Sequence, residues 1–440
     1  MKKLLICLGI LLIITPVVHA KPHSKSTKHH SHYVKKKHAS RRASRVKEPP
    51  LPEDWREAAV QVMGNGSLLV IDAQGRVLLS HDADIPRMPA STIKVATAAW
   101  ALKVLGPDYH FPTDFYWTSD GVLTVKGYGD PSLTSEDLVR IAAQLKRLGV
   151  KKVTKIRLDA SYFASNLNID VSGFNGRSNP FDADNGALIV NFNTAAVRVT
   201  GRGKHRRVSS ADPMTPLVPI VEERAAHLRA GTYNLDIAKN PQELLRFSGE
   251  MIAAFLQQAG IATSGDIVSG KVPAGMQPIY HHLSSNSLRG IIIGMLEFSN
   301  NFTANQLFLA TGAAQMGAPA TIAKSVNAET AFLKQSVGWK NFTVAEGSGL
   351  SRHTYVTAMD MMRLLNYFKP YQSLLPTKER VFQAKTGTLA DVSSFVGFFQ
   401  APGGGDVSFV IMVNDPKTSY EHKFKIAKII YAGITGDPLR

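Results

Sequence analysis

Any fold this chain adopts has to account for three short polar strings lying far apart in sequence: Ser91-Thr92-Ile93-Lys94, Ser299-Asn300-Asn301 and Lys385-Thr386-Gly387-Thr388. About 200 residues separate the first from the second, and about 85 the second from the third. If the three act together, both ends of the sequence must fold around one cleft, and the long intervening stretch must be accommodated elsewhere.

In Ser91-x-x-Lys94 a spacing of three puts both side chains on one helix face, about a turn apart. A serine hydroxyl is a poor nucleophile until a base takes its proton. A lysine serves as that base only when burial or a second cation lowers its pKa. Ser91 follows Pro89-Ala90 and opens the Ala- and Leu-rich segment Val95–Leu105, so it also gains from the free N–H groups of a helix N-terminus. Position selects it, because S-x-x-K recurs at Ser44–Lys47.

Ser299-x-Asn301 offers a hydroxyl to relay a proton toward a leaving amine and an amide to hold a substrate carbonyl. The pattern recurs at Ser284–Asn286 and Ser325–Asn327; Ser299 is set apart by a break inside the apolar helical stretch Leu288–Thr311. Lys385-Thr386-Gly387-Thr388 is the most specific string. Lys385 brings a second positive charge that attracts a substrate carboxylate and disfavours protonation of Lys94. Gly387 is expected to leave room for a substrate backbone along the strand. The backbone N–H of Thr388, with that of Ser91, is expected to form an oxyanion hole. The bland alternative for this string is an edge strand with an exposed lysine.

The 440 residues, 44% hydrophobic, call for a large core and more than one domain. The net charge of +17 suggests a nucleic-acid binder until it is located. Ten Lys or Arg lie between Lys21 and Lys47, and the only acid in Lys21–Glu48 is Glu48. The rest is mildly basic, which argues against nucleic acid as the partner. Residues 21–52 are low-complexity and predicted to be disordered, with an anionic envelope polymer as the ligand that such charge would attract. Met1–Ala20, with early lysines, an apolar run and Val18-His19-Ala20, reads as a secretory signal. The single cysteine, Cys7, lies inside it, so the mature chain is expected to lack disulfides, as suits a soluble bacterial envelope protein.

Folded sequence is expected from Trp55. Ser67–Asp72 and Arg76–Ser80 flank a Gly75 turn as a hairpin. Strands at Val381–Thr386, Phe395–Gln400 and Val407–Val413 precede a last helix near Glu421–Ala432. The predicted fold class is α/β of the α+β kind: a central antiparallel sheet flanked by helices, built from 53–105 and 281–440. Residues 106–280 form a β-rich insertion, with strand-like runs at Val122–Val125, Lys155–Leu158, Ala187–Asn191 and Ala196–Thr200.

Beyond the three strings, Pro89-Ala90-Ser91, Gly127-Tyr128-Gly129-Asp130-Pro131-Ser132-Leu133 and Gly347-Ser348-Gly349-Leu350-Ser351-Arg352 resemble the D-alanyl-D-alanine carboxypeptidase/endopeptidase family of class C penicillin-binding proteins (penicillin-binding protein 4 type, peptidase family S13). The resemblance runs from roughly Trp55 to the C-terminus. That family carries a large insertion between its first two motifs; ordinary β-lactamases do not. The resemblance implies a transpeptidase-like catalytic domain and a periplasmic hydrolase of peptidoglycan stem peptides, without cofactor or metal. Ser91 would attack the carbonyl before a terminal D-alanine or a cross-link. Lys94 would be the base, Ser299 the relay to the leaving group, and Asn301, Lys385, Thr386 and Thr388 substrate-binding groups. β-Lactams would acylate Ser91 as substrate mimics. An acidic residue of the insertion would read the amino group of diaminopimelate; Asp159 aligns there, with Arg352 nearby. A turn or strand-end carboxylate explains Asp159 as readily.

Two features depart from the family pattern. Glu346 stands where an aspartate is usual before Gly-Ser-Gly-Leu, and the basic tail is additional. A serine β-lactamase would share the acylation groups, but the class A glutamate of E-x-x-L-N is missing, since Met362 occupies that position before Leu365-Asn366. A non-catalytic peptidoglycan-binding protein with the same fold is the other alternative.

Overall fold

The computed structural model describes residues 53–173 and 183–439. The expected signal, the basic tail and Cys7 lie outside the described residues. The chain enters through α1 (Trp55–Met63), capped by the Asp54 carboxylate, which accepts from the Arg56 N–H. The hairpin of β1 (Gly66–Ile71) and β2 (Val77–His81) follows as expected, its turn using Gly75 at φ 81°. A 3₁₀ turn, Ala90–Ile93, then feeds α2 (Lys94–Leu105). This helix is buried on every side, because Ala, Val, Trp and Leu surround its axis.

The stretch from His110 to Ser287 builds sheets of its own. β3 (His110–Trp117) and β4 (Val122–Gly127) pair antiparallel. α3 (Ser135–Arg147) starts at a Thr134/Asp137 capping box and leads to β5 (Lys152–Val153) and β6 (Lys155–Asp159). β7 (Thr194–Thr200), β8 (Arg207–Ser210) and, after α4 (Pro219–Ala225), β9 (Gly231–Asp236) form a sheet ordered β8-β7-β9. α5 (Pro241–Gln258) is followed by β10 (Ala262–Thr263), β11 (Ile267–Ser269) and β12 (Tyr280–Ser287). The larger sheet runs β11-β6-β4-β3-β12, and β10 pairs with β5.

Three of the four strand-like runs expected here are strands; Ala187–Asn191 is not. Its Ala187 carbonyl accepts from Gly129 N–H, its Asn191 N–H donates to Leu133 O, and Asn191, Phe192 and Asn193 all take positive φ. Ala187–Val190 are buried without a ladder partner. Apolar residues with local hydrogen bonds imitate a buried strand in sequence.

From β12 the chain passes into α6 (Leu288–Phe298), α7 (Asn301–Met316), α8 (Ile322–Phe332) and α9 (Ala358–Phe368). It ends in β13 (Thr377–Lys378), β14 (Phe382–Leu389), β15 (Val392–Gln400), β16 (Asp406–Asn414) and α10 (His422–Thr435). The main sheet is ordered β13-β14-β15-β16-β1-β2, every pair antiparallel. Strand alternation divides its residues between two cores. Val396, Phe398, Val410 and Met412 pack with α2 and α6–α9, whereas Phe395, Phe399, Phe409 and Ile411 pack with α1 and α10. At about 1.5–3 kcal/mol per buried large apolar side chain, this two-sided burial makes the sheet a firm floor. β13 pairs only with Phe382 and Gln383, so Lys385–Leu389 of β14 form an edge. Among the described residues, no helix is long and apolar enough to cross a membrane.

Candidate active site

The local fold around Ser91 is set by three close backbone approaches. Ala90 takes φ 48°, a left-handed conformation unusual for a residue with a Cβ. A Cβ on Gly349 would lie 2.1 Å from Ala90 O, and one on Gly387 would lie 2.5 Å from Pro89 O and 3.1 Å from Ser91 N. The strained turn is therefore held between two glycines, one on each side. The missing side chain of Gly387, expected to leave room for a substrate backbone, also makes room for the turn that carries Ser91.

Lys94 is 0% exposed and Ser91 half-buried above it. Lys94 Nζ donates to Ser91 Oγ at 2.9 Å, to Asn301 Oδ1 at 2.5 Å and to Ser348 O at 2.6 Å. The spacing of three thus brings the expected pair together. The break between α6 and α7 is equally local. Ser299 ends α6 in the left-handed conformation, φ 54°, and Asn300 caps α7 by accepting from Thr303 N–H. Ser299 and Asn301 emerge at this break, partly exposed.

Lys385, 1% exposed, donates to Ser299 Oγ at 2.8 Å and to Thr386 O at 2.7 Å. Burial, then the charge of Lys94, then those of Lys378 and Lys423, hold its ammonium well below the usual lysine range. Repulsion between Lys94 and Lys385 is mutual. The hydroxyls of Ser91 and Ser299 therefore sit at the surface above two buried amines. That is a geometry for moving protons between oxygen and nitrogen.

The loop after α8 completes the floor. Glu346 is fully buried, and its carboxylate accepts from Ser348 N–H and Oγ, Gly349 N–H and Ser351 N–H. It thereby presents the Ser348 carbonyl to Lys94. Behind it lies Glu329, also 0% exposed, accepting from Thr97 Oγ1 at 3.4 Å. Burial and the neighbouring Glu346 charge, opposed by the Thr97 hydroxyl, push its carboxyl up to about 8. The folded protein thus keeps a proton that the unfolded chain releases near 4.5. The stabilising contribution is whole below that pH and is lost as pH rises through about 8. Glu329→Gln is expected to lose less melting temperature than wild type between about pH 5 and pH 9. Parallel declines in a thermal-melt series would exclude the assignment.

Asp159 ends β6, buried, with Oδ1 accepting from Ser161 N–H and Oδ2 from Val272 N–H. These bonds and the Lys126 charge outweigh burial and lower its carboxyl below the ordinary range. Arg352 makes a bidentate pair with Asp391 at 2.8 and 3.1 Å, in the turn joining β14 to β15. Both residues hold structural partners of their own, and no hydrogen bond links either to Ser91, Lys94, Ser299 or Lys385 among the described residues. Thr386 is half-buried on the edge of β14, and Thr388 Oγ1 accepts from Lys423 Nζ at 2.8 Å.

Sequence reasoning missed Ser348, whose contribution is a carbonyl that any residue type would supply. It also missed Lys423, which sits on the buried face of α10 with Phe424, Ile426 and Ala427. A lysine on the apolar stripe of an amphipathic helix was the available signal.

A family model described as the D-Ala-D-Ala carboxypeptidase 3 (S13) family matches residues 62–229, 227–381 and 371–431. A D-alanyl-D-alanine carboxypeptidase of Actinomadura sp. (strain R39) is 27% identical over 425 residues, covering 81% of this chain and 79% of that protein. The D-alanyl-D-alanine carboxypeptidase DacB of Haemophilus influenzae is 27% identical over 419 residues, covering 81% and 87%. The crystal structure of penicillin binding protein 4 from Haemophilus influenzae superposes with a TM-score of 0.70 at 22% identity, covering 82% of this chain and 93% of that one.

Proposed function

The chain belongs to the D-Ala-D-Ala carboxypeptidase 3 (S13) family, and from that premise we propose that Ser91 is the acylated nucleophile of a serine D-Ala-D-Ala carboxypeptidase and DD-endopeptidase. One observation carries the reading. Among the acceptors around Lys94 Nζ, the Asn301 Oδ1 and Ser348 carbonyl can only accept, whereas Ser91 Oγ can also donate. When Lys94 is neutral, its two N–H groups stay on the oxygens that cannot donate. Its lone pair then points at Ser91, where it takes the hydroxyl proton.

Ser91 Oγ attacks the carbonyl carbon before a terminal D-alanine or a cross-link. The oxyanion is met by the N–H groups of Ser91 and Thr388. Ser299, held by Lys385, relays the proton that Lys94 took from Ser91 to the leaving amine as the C–N bond breaks, which returns Lys94 to its neutral form. Water then attacks the ester with Lys94 again as base, releasing the shortened peptide and restoring Ser91. Lys385 and Thr386 attract the terminal carboxylate, and Asn301 orients the substrate amide. Asp159 and Arg352 remain proposals for reading the third stem residue. The chain's place is the periplasm, with the basic tail drawn to anionic envelope polymers.

β-Lactams acylate the same serine. A fluorescent penicillin is expected to label the protein stably. Intact sacculi and a pentapeptide are expected to yield cleaved cross-links and free D-alanine, resolved by mass. Rapid turnover of the penicillin would make the protein a β-lactamase, and absence of labelling a wall-binding protein.

A further inference from the structure

Behind β14, on the face opposite the nucleophile turn, α10 places a third buried lysine. Lys423 is 0% exposed, and its Nζ donates to Thr388 Oγ1 at 2.8 Å, to Gly387 O at 3.3 Å and to Ser393 Oγ at 3.3 Å. The register explains the set. Thr388 pairs with Ser393 across β14 and β15, so their side chains share the face covered by α10. All three acceptors are neutral, and the rings of Tyr420 and Phe424 lie 4.3 and 5.7 Å from the ammonium. A buried cation without a carboxylate on it is costly unless it has work to do.

Gly387 O and Thr388 N belong to one peptide group. A cation on the carbonyl oxygen draws electron density from the amide nitrogen and makes the N–H a stronger donor. The second bond, to Thr388 Oγ1, fixes the rotation of that same peptide. We propose that Lys423 is a positioning residue that orients and polarises the Gly387–Thr388 peptide, so that its N–H serves as an oxyanion donor. This rests on the acyl-serine reading above and adds to it a residue outside the three strings. The groups whose charges bear on Lys423 are Glu421 of α10, which favours its charged form, and Lys385 of β14, which it repels. Burial brings the Lys423 ammonium down to about 8. The polarisation is therefore present at neutral pH and fades as pH rises through that value.

The test uses the acyl-enzyme itself. Removing an oxyanion donor costs about 10²–10³ in rate, so weakening one is expected to cost about tenfold. In Lys423→Met the acylation rate constant for a fluorescent penicillin falls by about that factor while the preceding binding constant stays put. The infrared stretch of the penicilloyl ester carbonyl moves to higher wavenumber. In Lys423→Arg, which stays charged, both return toward wild type. In the unmodified protein the ester band moves upward between about pH 7 and pH 9, a readout that holds even if neither variant folds. An ester band independent of both pH and residue 423 would overturn the proposal. If wild type forms no acyl-enzyme, the failure belongs to the acyl-serine reading instead.

Discussion

Ser91→Ala is expected to abolish covalent labelling by a fluorescent penicillin and to lower D-alanine release by roughly 10⁴-fold or more. The substitution deletes one oxygen from a turn already occupied by Ala90 and held by Gly349 and Gly387. Lys94 keeps Asn301 Oδ1 and Ser348 O as acceptors, so the fold survives. Melting temperature should stay within a few degrees of wild type. Labelling that persists in this variant would place the nucleophile elsewhere and sink the proposed mechanism.

Lys94→Met is expected to be the next most damaging change. It removes a side chain that touches Ser91 Oγ, Asn301 of the second string and the Ser348 carbonyl together. General-base contributions run at about 10²–10⁴-fold, and acylation should fall within that range. Stability moves by opposing terms. Ser348 O and Asn301 Oδ1 lose this donor, at about 1–3 kcal/mol for a buried polar group. Against that, Lys385 loses its strongest like-charged neighbour. The variant should therefore remain folded, and Lys385 should keep its proton to higher pH. Wild-type acylation rates in Lys94→Met would show that another group takes the Ser91 proton.

The strings were legible because each carries its local structure with it. Proline and a buried apolar run mark the turn before α2, and a polar break inside an apolar run marks the αL residue Ser299. Apolar runs mark β15 and β16, and glycines mark the hairpin turns. The common antiparallel sheet followed from these, since its strands are long and buried on both faces. Ala187–Val190 failed for the converse reason: four buried apolar residues look alike whether or not a ladder joins them. Gly387 stood out as a place of close approach, and in the fold the Pro89–Ser91 backbone lies against it. Ser348 O, the Glu346 cage and Lys423 act through backbone atoms or through burial, which residue types reveal poorly. Asp159 and Arg352 carry charges that a sequence cannot distinguish from free ones. In the fold each is already engaged, with two backbone N–H groups and with Asp391 respectively.

The pairing of β1 with β16, which joins Gly66 to Val413 and Ile71 to Ser408, bears on when the molecule becomes competent. The central sheet cannot close until β16 has joined β1, and closing so long a loop is slow and entropically costly. Ser91 and Lys94 precede this closure in sequence, whereas Lys385 lies on the part of β14 that pairs with β15, which β16 in turn joins to β1. A chain cut short before β16 is thus expected to lack the assembled site.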